Sequence, residues 1–207
     1  MLAVLTHGLL AMVTETQAPP SSKGFALPIL NAQRQLHCDT PDLLWDYSLA
    51  GKARQYAQTC PNTTDPSLAH TDIGESIAFI GAASLMGVTE STQAWTNAIT
   101  QWYGQSLTYD YANGTVASGE VMGDFARIAW DQTTRVGCAY NAQAVPCDNI
   151  YPNMWNSVFV CRFIRGAYGV EPRQFVDHIH PLVSSGACDA KAGPVKKESR
   201  QHTLQTN

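Results

Sequence analysis

The chain has 207 residues, 44% of them hydrophobic, with a net charge of -4; that is enough apolar material for one sizeable core and too much for a disordered chain. No long run of one charge sign marks a nucleic-acid interface. No apolar stretch approaches the ~18 residues that a membrane span requires.

Residues 1–18 read as a signal peptide, with a mostly apolar Met1–Val13 and Thr16-Gln17-Ala18 before a cleavage point. His7 and Gly8 interrupt the run, and no Lys or Arg precedes Lys23, so the segment is an imperfect match. Residues 19–25, opening on Pro-Pro-Ser-Ser-Lys-Gly, read as a linker. The first folded element is expected from Ala26, with Cys38 near its end. Thr40-Pro41-Asp42 reads as a turn and N-cap. From Leu44 the apolar positions Leu44, Trp45, Leu49, Ala53, Tyr56, Ala57 and Cys60 recur at helical spacing, which predicts an amphipathic helix ended by Pro61. A second helix is predicted over 92–103, with Ala94, Trp95, Ala98, Ile99 and Trp102 on one face. A Tyr/Gly/Asn-rich loop spans Leu107–Met122. The segments 125–130, 136–141 and 157–164 are short and rich in aromatic and β-branched residues, and read as strands. Helices first and strands late suggest a layered α+β domain. From Ser184 the chain turns polar, and a tail mobile after about residue 190 is expected, tethered at its start by Cys188.

The six cysteines are Cys38, Cys60, Cys138, Cys147, Cys161 and Cys188. Their number is even and no two stand at Cys-x-x-Cys spacing. This reads as three structural disulfides formed in an oxidising compartment, hence a secreted, extracellular protein. Two glycosylation sequons, at Asn62 and Asn113, agree with export. Cysteine count alone does not choose among the possible pairings.

One stretch carries a family likeness. Gly123-Asp-Phe-Ala-Arg-Ile-Ala-Trp130-Asp-Gln-Thr-Thr-Arg-Val-Gly137-Cys138-Ala139 resembles the signature of the CAP superfamily, the SCP domain of cysteine-rich secretory proteins, venom antigens and pathogenesis-related proteins. Val158-Phe-Val-Cys161-Arg-Phe163 is a looser second match. Leu44-Trp45-Asp46, Gly74-Glu75-Ser-Ile-Ala and Trp102-Tyr103 follow the family order. The resemblance covers residues 26–169 and leaves 170–207 as a C-terminal extension. It implies a three-layer α-β-α sandwich. It also implies the bridges Cys60–Cys147 and Cys138–Cys161, with Cys38 and Cys188 then left to each other. Val116 and Met122 stand where plant members carry a further local pair.

In the family, two His and two Glu line a central cleft, and the two His can bind a divalent metal. Here the matching positions hold His70, Glu75, Gln105 and Asp124. One imidazole with two carboxylates is a poor zinc site and suits harder ions such as Mg, Ca or Mn. Gln105 has no acid–base chemistry near neutral pH. Two readings stay open: a residual metal pocket using His70 and Asp124, or a hydrogen-bonded network that organises the loops. The second is preferred. A Ser76/His70/Glu75 triad can be drawn but has only sequence proximity behind it. His178 and His180 read as exposed residues near the tail, and Trp95, Trp102, Tyr103, Phe125 and Trp130 as packing.

The resemblance further implies function by binding. Family members have been linked to sterols, fatty acids, defence and host interaction, in some cases through the loop before the signature. That loop here carries Tyr109, Tyr111, Val116 and Val121. The expectation is a secreted, non-catalytic binder of a sterol, a fatty acid or an extracellular protein partner. The alternative is a metal-dependent hydrolase with a degenerate site.

Overall fold

The computed structural model describes residues 22–82, 91–116, 123–141, 147, 155–166 and 172–188. The signal-peptide segment, Val121, Met122 and the tail after residue 190 lie outside them. Among the described residues, the order is α1 (Lys23–Arg34), β1 (Leu44–Trp45), α2 (Tyr47–Ala57), β2 (Ile73–Ala82), α3 (Thr92–Tyr103), β3 (Tyr109–Asp110), β4 (Thr115–Val116), α4 (Asp124–Ala129), β5 (Arg135–Tyr140), β6 (Trp155–Ile164) and α5 (Pro172–His178).

The main sheet runs β1-β5-β6-β2, with β1 parallel to β5 and the other pairs antiparallel. Strand alternation sends successive side chains to opposite faces. Val158 and Val160 of β6 pack with Ala53 and Ala57 of α2 on one face. Phe159, Cys161 and Phe163 pack with Leu30 of α1 and with Trp95, Ala98 and Ile99 of α3 on the other. The result is the expected three-layer α-β-α sandwich, with β2 at one edge. Gly137 lets the first layer approach: a side chain there would land on the backbone of Asp46, Leu49 and Ala50.

Several expected elements shift for local reasons. The linker 19–25 overlaps α1, which already begins at Lys23. The helix expected from Leu44 begins later, because Leu44 and Trp45 pair with Arg135 and Val136 as β1. Asp46 then caps α2, accepting from the Ser48 and Leu49 N–H groups at 2.9 and 3.0 Å; the predicted cap at Asp42 is not used. Segment 125–130 is helix α4 and not a strand. Phe125, Ala126, Ile128 and Ala129 are all buried there, so its apolar run, buried all round, had no period to distinguish strand from helix.

Three disulfides join Cys38 to Cys188, Cys60 to Cys147 and Cys138 to Cys161: the last two are the pairs that the resemblance implies, and the first is the pair left over. Cys138 and Cys161 face each other across β5 and β6. The chain beyond β6 folds back onto the domain. Ile179 bridges to Trp130 and Leu182 to His37, and Cys188 closes this C-terminal arm onto the end of α1.

Candidate functional site: a clamped polar cleft at the β2 edge

Glu75 lies on the α2 face of β2, directly opposite Arg162 of β6. Arg162 Nε donates to Glu75 Oε2 at 2.6 Å and its Nη2 donates to Asp65 Oδ2 at 2.7 Å. Glu75 Oε1 accepts the Asp65 N–H at 2.7 Å. The Arg162 and Glu75 side chains are 5% and 1% exposed, so this is a buried pair whose charges are mutually satisfied. Burial pushes the Glu75 carboxyl up, opposed by the Asp65 N–H and by Arg162. Asp65 also feels burial, but its bonds to Ser67 and Arg162 bring it below the usual carboxylate range. The Arg162 guanidinium also stacks over Tyr56, 5.4 Å from the ring centre.

Asp124 begins α4 on the other side of β2. Its carboxylate accepts from Arg127 Nη1 at 2.8 Å, one turn along the same helix. The aspartate side chain keeps 37% exposure. Burial of its surroundings pushes this carboxyl up, against the opposing pull of Arg127. Arg127 passes close to Gly74 and Gly123, where a side chain would meet it at 2.9 and 3.3 Å. Ser76 is fully buried and thus closed to substrate.

The remaining matched positions do not join these pairs. His70 is exposed, in a left-handed turn with φ 66° before β2. Gln105 is half-buried on the 3-10 turn Gly104–Thr108. A cavity of about 80 Å³ opens at the β2 edge, lined by Asp65, Pro66, Leu68, Ile73, Glu75 and Arg127 among others. Among the described residues, its lining takes in Glu75 but not His70, Gln105 or Asp124. Nor do any three His, Cys, Asp or Glu side chains among them group as a metal site. With His70 exposed and both carboxylates engaged by arginines, the donor set does not fit the divalent metal that the resemblance suggests.

Three residues outside the four matched cleft positions organise the surroundings. Arg34 is fully buried and donates to the carbonyls of Pro41, Ile128, Trp130 and Thr133 at 2.6–3.1 Å. Burial lowers its pKa to about 10, opposed by Asp131 and Asp42. A charge continuing the Ala26–Leu30–Arg34 stripe of α1 was the available signal. Arg162 had a similar one, as a charge on the buried Val158–Val160 face. Asp131 is the third: it accepts from His178 Nδ1 at 2.9 Å and His180 Nε2 at 3.1 Å. Those histidines are half-buried clasps of the arm, not exposed residues, because residues 178–182 pack back on the domain.

Comparison with known proteins agrees with this architecture. A family model described as "CAP: Cysteine-rich secretory protein family" matches residues 29–163. Protein PRY2 of Saccharomyces cerevisiae is 30% identical over 152 residues, covering 73% of this chain and 39% of the relative. A pathogenesis-related protein of PR-1 type from Sambucus nigra is 33% identical over 108 residues, covering 51% of this chain and 56% of the relative. The chain thus spans about half or less of the length of these curated relatives. The solved structure of BmVAL-1 superposes with a TM-score of 0.59 at 18% identity, covering 82% of this chain and 86% of the other, a likeness of fold. The chain belongs to the CAP, or cysteine-rich secretory protein, family.

Proposed function

We propose that this is an extracellular CAP-domain protein that works without metal or catalysis, by binding a sterol or another lipid. The observation that carries the reading is a division of labour. Both carboxylates at the family's polar positions are clamped by arginines, while a separate apolar cluster joins Tyr109 and Val116 of the β3–β4 hairpin to Phe125, Trp130, Phe175 and Ile179. A clamped carboxylate is a poor general base, since its lone pairs and charge are already committed. An apolar cluster with aromatic walls suits hydrocarbon, at about 0.8 kcal/mol per buried CH₂. The disulfides suit an oxidising compartment, and the resemblance supplies the link to sterols and fatty acids.

The test is equilibrium binding of purified protein to cholesterol, ergosterol and a long-chain fatty acid. Saturable binding to at least one is expected; none to any overturns the lipid reading and leaves a protein partner. Titration calorimetry with Zn²⁺ and Mg²⁺ is expected to give no heat beyond dilution. Site-specific heat that disappears in His70→Ala would restore the metal.

A further inference from the structure

His37 follows α1, is 3% exposed and belongs to no part of the cleft above. Its Nδ1 donates to the His180 carbonyl at 2.7 Å, and its Nε2 accepts from the Tyr103 hydroxyl at 2.7 Å; a carbonyl only accepts, which fixes the neutral tautomer. The imidazole lies 5.9, 6.0 and 5.8 Å from the rings of Tyr103, Tyr111 and Phe125. On either side the Cys38 N–H donates to the Pro181 carbonyl at 2.9 Å and the Val183 N–H to the Leu36 carbonyl at 2.8 Å. His37 therefore centres a short joint between the end of α1 and the arm. The other end of the arm fills an apolar slot. Phe175 and Ile179 are 9% and 1% exposed and pack with Tyr109, Val116, Phe125 and Trp130. Phe175 meets Trp130 edge-on at 5.8 Å, and the Tyr109 hydroxyl donates to the Phe175 carbonyl at 3.2 Å.

We propose that residues 172–188 are a disulfide-tethered plug: Phe175 and Ile179 occupy a slot that takes a hydrocarbon ligand when the arm lifts, and acid lifts the arm by charging His37. The ligand half rests on the lipid reading above; the release of the arm does not. A protonated His37 needs two acceptors, so the Tyr103 hydroxyl must turn round and a cation must sit among three aromatic rings. Burial pushes the His37 pKa down, opposed by the His180 carbonyl and helped by the nearby Arg34 charge. The neutral ring therefore holds the joint fully above the ordinary histidine value of about 6.5. That hold is lost as pH falls below it, because the lifted arm leaves His37 free to protonate. Release can grow by up to about tenfold per pH unit until the lowered pKa is reached.

The charged and titratable groups facing the joint are Arg34 from α1, Tyr103 from α3, Tyr111 from the hairpin, His178 and His180 from the arm, and Asp131 before β5. His178 and His180 donate to Asp131 at 2.9 and 3.1 Å, a second polar hold on the arm beside the joint. The Cys38–Cys188 bridge keeps the lifted arm attached.

The experiment is amide hydrogen exchange at Cys38 and Val183 at pH 7.5 and 5.5, corrected for the intrinsic rate. Protection is expected to fall about tenfold in the wild type and to stay constant in His37→Gln. No fall in the wild type, or the same fall in His37→Gln, overturns acid release. Phe175→Ala, which does not depend on the His37 variant folding, is expected to reduce Val183 protection already at pH 7.5; unchanged protection overturns the plug. A fluorescent cholesterol analogue, which has no titrating group, is expected to bind the wild type about tenfold tighter at pH 5.5 than at 7.5. Equal binding at both values overturns the plug. An arm that lifts with no binding at either pH overturns the ligand half and the lipid reading together, and leaves the release standing.

Discussion

The central core and the second apolar cluster are assembled in different ways. The central core joins long elements: Trp95 of α3 meets Phe159 of β6 edge-on at 4.9 Å, and every strand of the sheet except β1 places buried residues in it. The second cluster joins short ones, the two-residue strands of a hairpin, the six-residue α4 and the seven-residue α5. None of these is long enough to be stable alone. Polar pins hold them instead: Arg34, His37, Tyr109 and Asp131. A region held by pins can be opened by changing one charge, whereas a region held by area must lose the area itself.

The largest expected effect comes from removing the covalent pin. Cys38→Ala with Cys188→Ala opens a bridge spanning 150 residues, worth up to about 5 kcal/mol in the chain-entropy model. Urea denaturation measures the loss, and hydrogen exchange is expected to place the greatest loss of protection in the arm; uniform loss would break the comparison. Arg34→Met strands three buried carbonyls and one part-buried one at about 1 kcal/mol each. A loss of about 4 kcal/mol is expected, with both regions unfolding together, since Arg34 ties α1 to the loop after α4. Arg162→Met leaves Glu75 buried and unpaired, and about 3 kcal/mol is expected. Glu75→Leu in the same chain should recover part of that loss, which a double-mutant cycle measures. Asp124→Asn touches a half-exposed pair, for which about 0.5 kcal/mol is expected. A loss above about 2 kcal/mol would mean that the Asp124–Arg127 pair is as structural as the Glu75–Arg162 pair.

The sequence named four residues for one cleft, yet the cavity at the β2 edge takes in Glu75 alone of them, and the sequence did not show how the charges pair. Glu75 and Asp124 were visible as motif positions; Arg127 stands one turn after Asp124 on the same helix, while Arg162 is remote from Glu75 along the chain. Pairing of Glu75 with Arg162 depends on the register of β2 against β6, a long-range property that periodicity cannot supply. His70 matched a motif and yet stands in solvent, because motif order fixes position along the chain and not side-chain direction. His178 and His180 were misread as exposed for the opposite reason: a polar, late segment looked like a tail until Asp131 and the Cys38 bridge drew it in.

By itself, the sequence determined the layered α+β domain, the helical faces of α2 and α3, the strand character of β5 and β6, and through the resemblance two of the disulfide pairs, the third being the pair left over. These follow from local spacing and from motifs that survive in linear order. Only the tertiary structure decided that 125–130 is a helix, that the cleft's carboxylates are clamped, and that the C-terminal arm lies over the second cluster with His37 at its joint. Those facts depend on which buried polar group finds which partner across the fold, and burial leaves each of them few partners to choose from.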